Sequence, residues 1–344
     1  MDKKIFIIAE AGVNHNGKKS CALELIDAAY KAGADAIKFQ TFKAGNLASR
    51  LTKKARYQLS SSRVKEGQLE MLRRLQLSYE SFISLKQYCD RKGILFLSTP
   101  FDYESVDFLE KIVPAYKIGS GDLNNLPFLK YIAQRNKPVL LSTGMATLKE
   151  VKEAVKIIID NQGCLKKTTM FKPLTLMHCT TSYPCPYKEA NLLAIQTLKK
   201  EFCLPVGYSD HTIGVEASVA AVALGATIIE KHFTLDKNMP GPDHKASSEP
   251  EELGRLVKAI RNIEIGLGDG IKKPQHCEME NIKVVRKSLI VARDLKAGEK
   301  ICREMIEIKR PGYGTSPKDY NKIIGLELIR DKNKDEVFTW DDFK

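Results

Sequence analysis

Eight short apolar runs alternate with stretches whose apolar residues recur at helical spacing, and this alternation limits what the 344-residue chain can fold into. The runs occupy residues 5–9, 36–40, 94–98, 115–119, 139–142, 174–179, 205–208 and 226–233. They are rich in β-branched and aliphatic residues and show little polar alternation, as strands buried on both faces require. Between the first two runs, Ala22, Leu25, Ile26, Ala29 and Ala32 fall three or four apart, and Gly33 supplies a helix stop. Thr147 and Glu150 form a capping-box pattern that opens the helix after the fifth run. A short helix over 216–224 is stopped by Gly225, and Leu253, Leu256, Val257 and Ile260 line a final long one. Eight strand–helix repeats predict an α/β fold, a (β/α)8 TIM barrel. The competing doubly wound sheet usually has fewer strands, and no G-x-G-x-x-G follows the first run.

The interval between runs two and three is too long for one helix and predicts a polar insertion over 44–77, either a cover for the barrel mouth or a surface excursion. The pattern breaks at 268–287 into a charged linker. A second unit, 288–344, contains short strands, a Lys-Ala-Gly turn and a Pro-Gly pair. It is small for an independent domain and predicts packing against something else. The barrel is accordingly expected over 1–267.

Composition narrows the partners. The net charge is +13, but the lysines are scattered, without an arginine-rich tract or an aromatic-interleaved basic run, so nucleic acid is not expected. A broad positive field also suits small anions. No apolar run approaches the ~18 residues of a membrane span. The N-terminal apolar run is too short for a secretory signal, which predicts a cytoplasmic protein. The cysteines (Cys21, Cys89, Cys164, Cys179, Cys185, Cys203, Cys277 and Cys302) contain no C-x-x-C pair, against structural zinc or a disulfide framework.

Reactive groups of such barrels collect at the C-terminal ends of strands. Glu10 ends the first run. The second carries Lys38 and Gln40, on one face by period two. Thr99 follows the third, Lys117 lies in the fourth with Ser120 and Asp122 just past it, and Ser142 ends the fifth. His178, Thr180 and Thr181 belong to the sixth, Ser209 and His211 to the seventh, and Glu230 and His232 to the eighth, with Asp243 downstream. A single strand lysine is most simply salt-bridged or snorkelling. Two at separate strand ends, amid hydroxyls, point to a phosphate or carboxylate that neutralises them. His211 and His232, each alone most simply a hydrogen-bonded core residue, together with Glu10 resemble a sparse, open divalent-metal site. His178 is most simply packed, His15 caps a turn, His244 contacts substrate or caps a helix, and His276 is solvated.

The segments IAEAGVNHNG, KFQTFKA, STPFD, KIGSGD, LSTGMAT, HCTTSYP, VGYSDHTIG and EKHFTLDKNMPGPDHKAS, in this order across nearly the whole chain, resemble the sialic acid synthase family. KRPGYG resembles that family's antifreeze-like (SAF) domain. The resemblance implies a C–C bond-forming transferase that condenses phosphoenolpyruvate, an open-chain N-acylmannosamine-type sugar and water into a nine-carbon 2-keto acid and phosphate. It implies Mn2+ (or Mg2+ or Co2+) on His211 and His232, with Glu10 beside the metal and the reacting aldehyde or water. Lys38, Thr99, Lys117, Ser120, Ser142 and Ser209 would hold phosphoenolpyruvate. Gln40, Asp122, Tyr183 and Asp243 would meet the sugar. In a domain-swapped homodimer, Arg310 would reach the N-acyl group across the interface. Asp122 stands where many bacterial members have Glu, and Thr181 where some have Asn. N-acetylmannosamine, giving N-acetylneuraminate, is slightly favoured because Asp in GSGD also occurs in sialate-forming members. The alternative is 2,4-diacetamido-2,4,6-trideoxymannose, giving legionaminic acid. Outside the class stand a Schiff-base aldolase using Lys38 or Lys117 and a non-catalytic basic binding module.

Overall fold

The computed structural model describes residues 4–54, 66–163 and 170–344. Cys164 and the middle of the expected 44–77 insertion lie outside them. Two compact units divide after Gly268.

The first unit is the expected barrel. Its strands are β1 (Phe6–Gly12), β2 (Ala36–Thr41), β3 (Leu95–Pro100), β4 (Tyr116–Ile118), β5 (Val139–Ser142), β6 (Leu174–His178), β7 (Val206–Asp210) and β8 (Ile228–His232). Every ladder is parallel, in the order β3-β2-β1-β8-β7-β6-β5-β4. β3 and β4 lie side by side where the cylinder closes. β7 runs past the apolar stretch seen in sequence to include Ser209 and Asp210.

The helices form where their apolar spacing places them. Lys19–Lys31 buries Cys21, Ala22, Leu25, Ile26 and Ala29, and Gly33 follows at φ +83°, where a Cβ would be strained. Thr147 Oγ1 accepts from the Glu150 N–H while the Glu150 carboxylate accepts from the Thr147 N–H, closing the capping box of Leu148–Asn161. Pro250–Gly266 buries Leu253, Leu256, Val257 and Ile260.

Strand period sorts the barrel interior into two layers. Ile8, Ala36, Leu97, Ala115, Leu140, Met177 and Ile228 form one buried cluster plugged by Phe171. Two residues further along, each strand presents Glu10, Lys38, Thr99, Lys117, Ser142, Cys179 or Glu230 to a cavity at the C-terminal rim. The opposite faces, including Ile7, Phe39, Phe96, Ile118, Leu141, Tyr208 and Ile229, pack under the helices in the main core. The apolar layer is a floor and the polar layer above it is the site.

The insertion differs from its polar reading. Its described flanks contain the helices Ala44–Leu47 and Gln68–Leu75. Ala44, Ala48, Met71, Leu72 and Leu75 pack with Val13 and Phe42 into a satellite core. Apolar residues three and four apart, diluted by Lys, Arg and Gln, were masked by composition.

The second unit begins with the stretch read as linker, which contains a helix, Met279–Val285, with no buried residue. β9 (Ser288–Val291) and β10 (Ile306–Lys309) pair antiparallel. Leu289, Val291, Leu295, Ile301, Ile323, Leu328 and Phe338 form its core. The fully buried Asp342 carboxylate gathers the Thr339 N–H, Arg330 and Lys332. Among the described residues no helix is long and apolar enough to cross a membrane, and the cysteines are free.

Gly207 tests the barrel packing. A Cβ there would stand 2.5 Å from Met177 Sδ and 2.8 Å from the Ile228 carbonyl oxygen, a backbone atom of the neighbouring strand. Gly207→Ala is expected to destabilise the protein by ~1–3 kcal/mol, read as a lowered denaturation midpoint.

Candidate active site

Glu10, Lys38, Gln40, Thr99, Lys117, Ser120, Ser142, Tyr183, Ser209, His211 and His232 line one cavity of about 150 Å³ at the C-terminal rim. The strand ladder explains the convergence, because Glu10 on β1 is in register with both Lys38 on β2 and His232 on β8.

At the centre is a charge lattice. Lys38 Nζ lies 2.7 Å from Glu10 Oε2 and 3.7 Å from Glu230 Oε2, and donates to Thr99 Oγ1 at 3.1 Å. Lys117 Nζ donates to Ser142 Oγ at 2.8 Å and lies 3.2 Å from Glu230 Oε1. Ser209 Oγ donates to the same Glu230 oxygen at 2.9 Å. The two lysines and two carboxylates are all at most 4% exposed, so each charge depends on the others for the solvation it has lost.

The two carboxyls are driven apart. Burial pushes Glu230 up, but Lys117 and Lys38 outweigh it and hold the group down at about 2. Glu10 is raised to about 7, chiefly by burial, with Lys38 opposing and Glu230 reinforcing. The contact with Lys38 favours the Glu10 carboxylate and burial favours the acid, which leaves Glu10 able to take or give a proton near neutrality. Lys38 resists its burial because Glu10 and Glu230 raise its pKa. It is an ammonium, unsuited to the unprotonated nucleophile that a Schiff-base aldolase needs.

His211 and His232 face each other with ring centroids 5.4 Å apart, and Tyr183 packs on His211 at 4.2 Å. The Thr180 carbonyl lies 2.6 Å from His211 Nδ1. A carbonyl can only accept, so Nδ1 carries the proton and Nε2 keeps its lone pair. Burial lowers the His211 pKa to about 4. It pulls His232 well below the usual range, with His211 and Lys38 adding to the effect. His232 Nδ1 is buried without a hydrogen-bond partner among the described residues. Two neutral imidazoles, one carrying an unpartnered nitrogen, fit a divalent ion whose remaining positions stay open. Among the described residues no three His, Cys, Asp or Glu side chains gather into a closed cage.

Ser120 Oγ accepts from the Gly144 N–H at 3.0 Å and touches Cys179 Sγ at 3.1 Å. A Cβ on Gly144 would stand 2.3 Å from Thr181 Oγ1 and 2.7 Å from Ser120 Oγ, so a larger residue there would push aside two side chains that line the cavity.

Three expected site residues are not among those lining the cavity. Half-buried Asp122 accepts from Asn125 Nδ2 at 3.2 Å. Asp243 is buried, which raises its pKa to about 6. Arg310, in the second unit, is exposed and donates from Nε to the Val285 carbonyl. The other histidines are structural: His178 Nε2 pairs with the Ala190 carbonyl, His15 Nδ1 accepts from the Gly17 N–H, and His244 Nδ1 pairs with Thr234 Oγ1. His276 is exposed. Glu230 joins the site beyond the residues expected from sequence; it lies two residues before His232 on one strand and so shares its inward face.

The sequence matches the NeuB family over residues 25–272 and the SAF domain over residues 286–344. It is 49% identical to the N,N'-diacetyllegionaminic acid synthase of Campylobacter jejuni, covering 97% of this chain and 99% of that protein. A protein of the same name from Legionella pneumophila is 44% identical, with 98% and 94% covered. Among solved structures, the N-acetylneuraminic acid (sialic acid) synthetase of Leptospira borgpetersenii superposes with a TM-score of 0.69 at 38% identity, over 81% of this chain and 90% of that one.

Glu230→Gln strips the lysines of their shared counter-charge and is expected to destabilise the protein by ~3–5 kcal/mol at neutral pH. A carboxyl held below its unfolded pKa contributes its stability above that value and loses it as pH falls. The gap between wild type and variant, measured by urea unfolding, should therefore shrink from about pH 4.5 towards pH 2.

Proposed function

The chain belongs to the NeuB family and carries a SAF domain, and from that premise we propose that it joins phosphoenolpyruvate to an open-chain N-acylated mannosamine-type sugar, releasing phosphate and a nine-carbon 2-keto acid. The observation that carries the reading is the Lys38–Glu230–Lys117 lattice ringed by Thr99, Ser142 and Ser209 at a barrel rim. It offers two ammonium groups and several hydroxyls to the phosphate and carboxylate of one small trianion.

Charge balance supports the metal. Glu10 and Glu230 already match the two lysines, so a trianion would enter a nearly neutral pocket. A divalent ion held by His211 and His232, as Mn2+, Mg2+ or Co2+, would restore a positive surplus and polarise the sugar aldehyde as a Lewis acid. The lysines and hydroxyls hold the enol ester so that its methylene carbon faces the aldehyde, and such positioning can supply up to ~7–11 kcal/mol of the barrier. Both contacts to Glu10, from Gln40 Nε2 and Lys38 Nζ, are donors. Its carboxylate is therefore the form this cradle holds: as the methylene carbon bonds to the aldehyde carbon and water adds at the former enol carbon, Glu10 takes the water's proton and passes it to the aldehyde oxygen, which becomes a hydroxyl. Collapse of that carbon by C–O cleavage expels phosphate into the hydroxyl cradle.

For the sugar, Asp122 in GSGD slightly favours N-acetylmannosamine. The two relatives named legionaminic acid synthases move the proposal to 2,4-diacetamido-2,4,6-trideoxymannose. Asp122 and Asp243 are proposed to meet the sugar beyond the cavity, and Arg310 of a second copy its N-acyl group, in a homodimer whose SAF domains cover the barrel mouths.

Phosphate release should be measured with phosphoenolpyruvate, Mn2+ and each sugar in turn. The diacetamido sugar is expected to give the higher kcat/KM. A higher value for N-acetylmannosamine returns the assignment to neuraminate, and release with neither sugar overturns the reaction. Borohydride with pyruvate should leave Lys38 and Lys117 unmodified by mass spectrometry. Glu10→Gln should lower kcat by ~10²–10⁴-fold. It should also abolish the fall in wild-type kcat expected as pH drops through about 7.

A further inference from the structure

We propose that the buried Asp210–Lys231 pair is a clamp that sets the spacing and aim of His211 and His232, and hence the affinity of the barrel for its divalent ion; this rests on the metal reading above. Asp210 and Lys231 are in register across β7 and β8. Each immediately precedes one of the two histidines in sequence. By strand alternation Ser209 and Glu230 face the cavity, while Asp210 and Lys231 point the other way and line no part of it.

The pair is fully buried and fully partnered. The side chains of Lys231 and Asp210 are 2% and 0% exposed, with Nζ 2.8 Å from Oδ2. Asp210 Oδ1 accepts from both the backbone N–H and the hydroxyl of Thr212 at 2.8 Å. Oδ2 also accepts from Ser218 Oγ at 2.7 Å, tying in the helix Glu216–Ala223. Lys231 Nζ donates in addition to the Thr212 carbonyl at 2.6 Å. Every polar group of Thr212 is therefore gripped by this one ion pair.

His211 lies just past the end of β7, where the strand ladder no longer holds it. The Cys185 N–H reaches its carbonyl at 2.7 Å and the Thr180 carbonyl takes its ring Nδ1–H. On its C-terminal side, the anchor is Thr212, and Thr212 is fastened to the residue that precedes His232. The clamp thus links the backbone of one imidazole to the strand of the other. A buried ion pair is a poor source of net stability, because an apolar pair of similar volume often serves as well. Its fixed hydrogen-bond geometry is suited to holding two ligands at one separation, and outer partners of metal ligands commonly set affinity by 10–100-fold.

The experiment titrates the full-length metal-free protein with Mn2+, following free Mn2+ by electron paramagnetic resonance, for wild type, Lys231→Met, Thr212→Val and the double variant Asp210→Asn/Lys231→Met. The double variant leaves no unpaired buried charge and should melt cooperatively. It should nevertheless bind Mn2+ about 10–100-fold more weakly. Its KM for phosphoenolpyruvate at saturating Mn2+ should not change, and excess Mn2+ should restore its rate. Thr212→Val, which removes one hydroxyl and keeps the ion pair, should weaken Mn2+ by a smaller factor, and it decides the matter if the charge variants do not fold. Wild-type Mn2+ affinity in the double variant or in Thr212→Val, or a KM for phosphoenolpyruvate that rises with the Mn2+ Kd, overturns the clamp alone. A wild-type protein that takes up no Mn2+ overturns the metal reading and the clamp together.

Discussion

Lys38 and Lys117 stand inside a closed barrel, almost out of reach of solvent, and the rest of the site is arranged around keeping them charged. Their counter-ion is Glu230, which reaches both, while Glu10 takes a second contact with Lys38. A buried ammonium without such partners would be costly by several kcal/mol. The arrangement makes the two carboxyls unequal. Glu230 is committed to its charge because two cations face it. Glu10, more nearly balanced between burial and Lys38, is left to move a proton. One lattice thus provides both an anion cradle and a titratable group beside it.

The barrel makes this affordable by separating tasks along each strand. The interior cluster around Ile8, Leu97, Met177 and Ile228 contributes burial of apolar surface, while the polar residues two positions on are held by a backbone already fixed in parallel ladders. A side chain placed by a ladder has little freedom left to lose when substrate binds. Residues on the outward faces of the same strands, Asp210 and Lys231, carry their own ion pair beneath the helices. The wall between the two ion-pair systems is a single strand thickness.

The second unit is built on a different principle. It has a small core around Leu289, Val291 and Phe338, one two-stranded ladder extended by isolated bridges such as Leu295 to Lys332 and Leu328 to Phe343, and side-chain staples at Asp342. In its leading helix, Met279–Val285, no residue is fully buried among the described residues. Such a unit has little apolar burial to spare.

Much of this was legible in the amino-acid order. Strand number, barrel closure, the helix stops at Gly33 and Gly225 and the cap at Thr147 are local or periodic properties, and the structure carries them as read. The lining of the cavity by Glu10, Lys38, Lys117, Ser142, Ser209, His211 and His232 followed from their placement at strand ends. The satellite core beneath Met71 and Leu75 was hidden because its apolar residues are diluted by charged ones. Period two places Glu230 on the inward face with His232, but nothing local shows that it neutralises two lysines from distant strands. Which carboxyl is committed and which is free to titrate, and that Lys231 grips Thr212 instead of the cavity, depend on distances between residues far apart in the chain. Period and composition determined which groups could meet; only the closed barrel decided how far apart they stand, and in a medium that screens charge so weakly those distances set the chemistry.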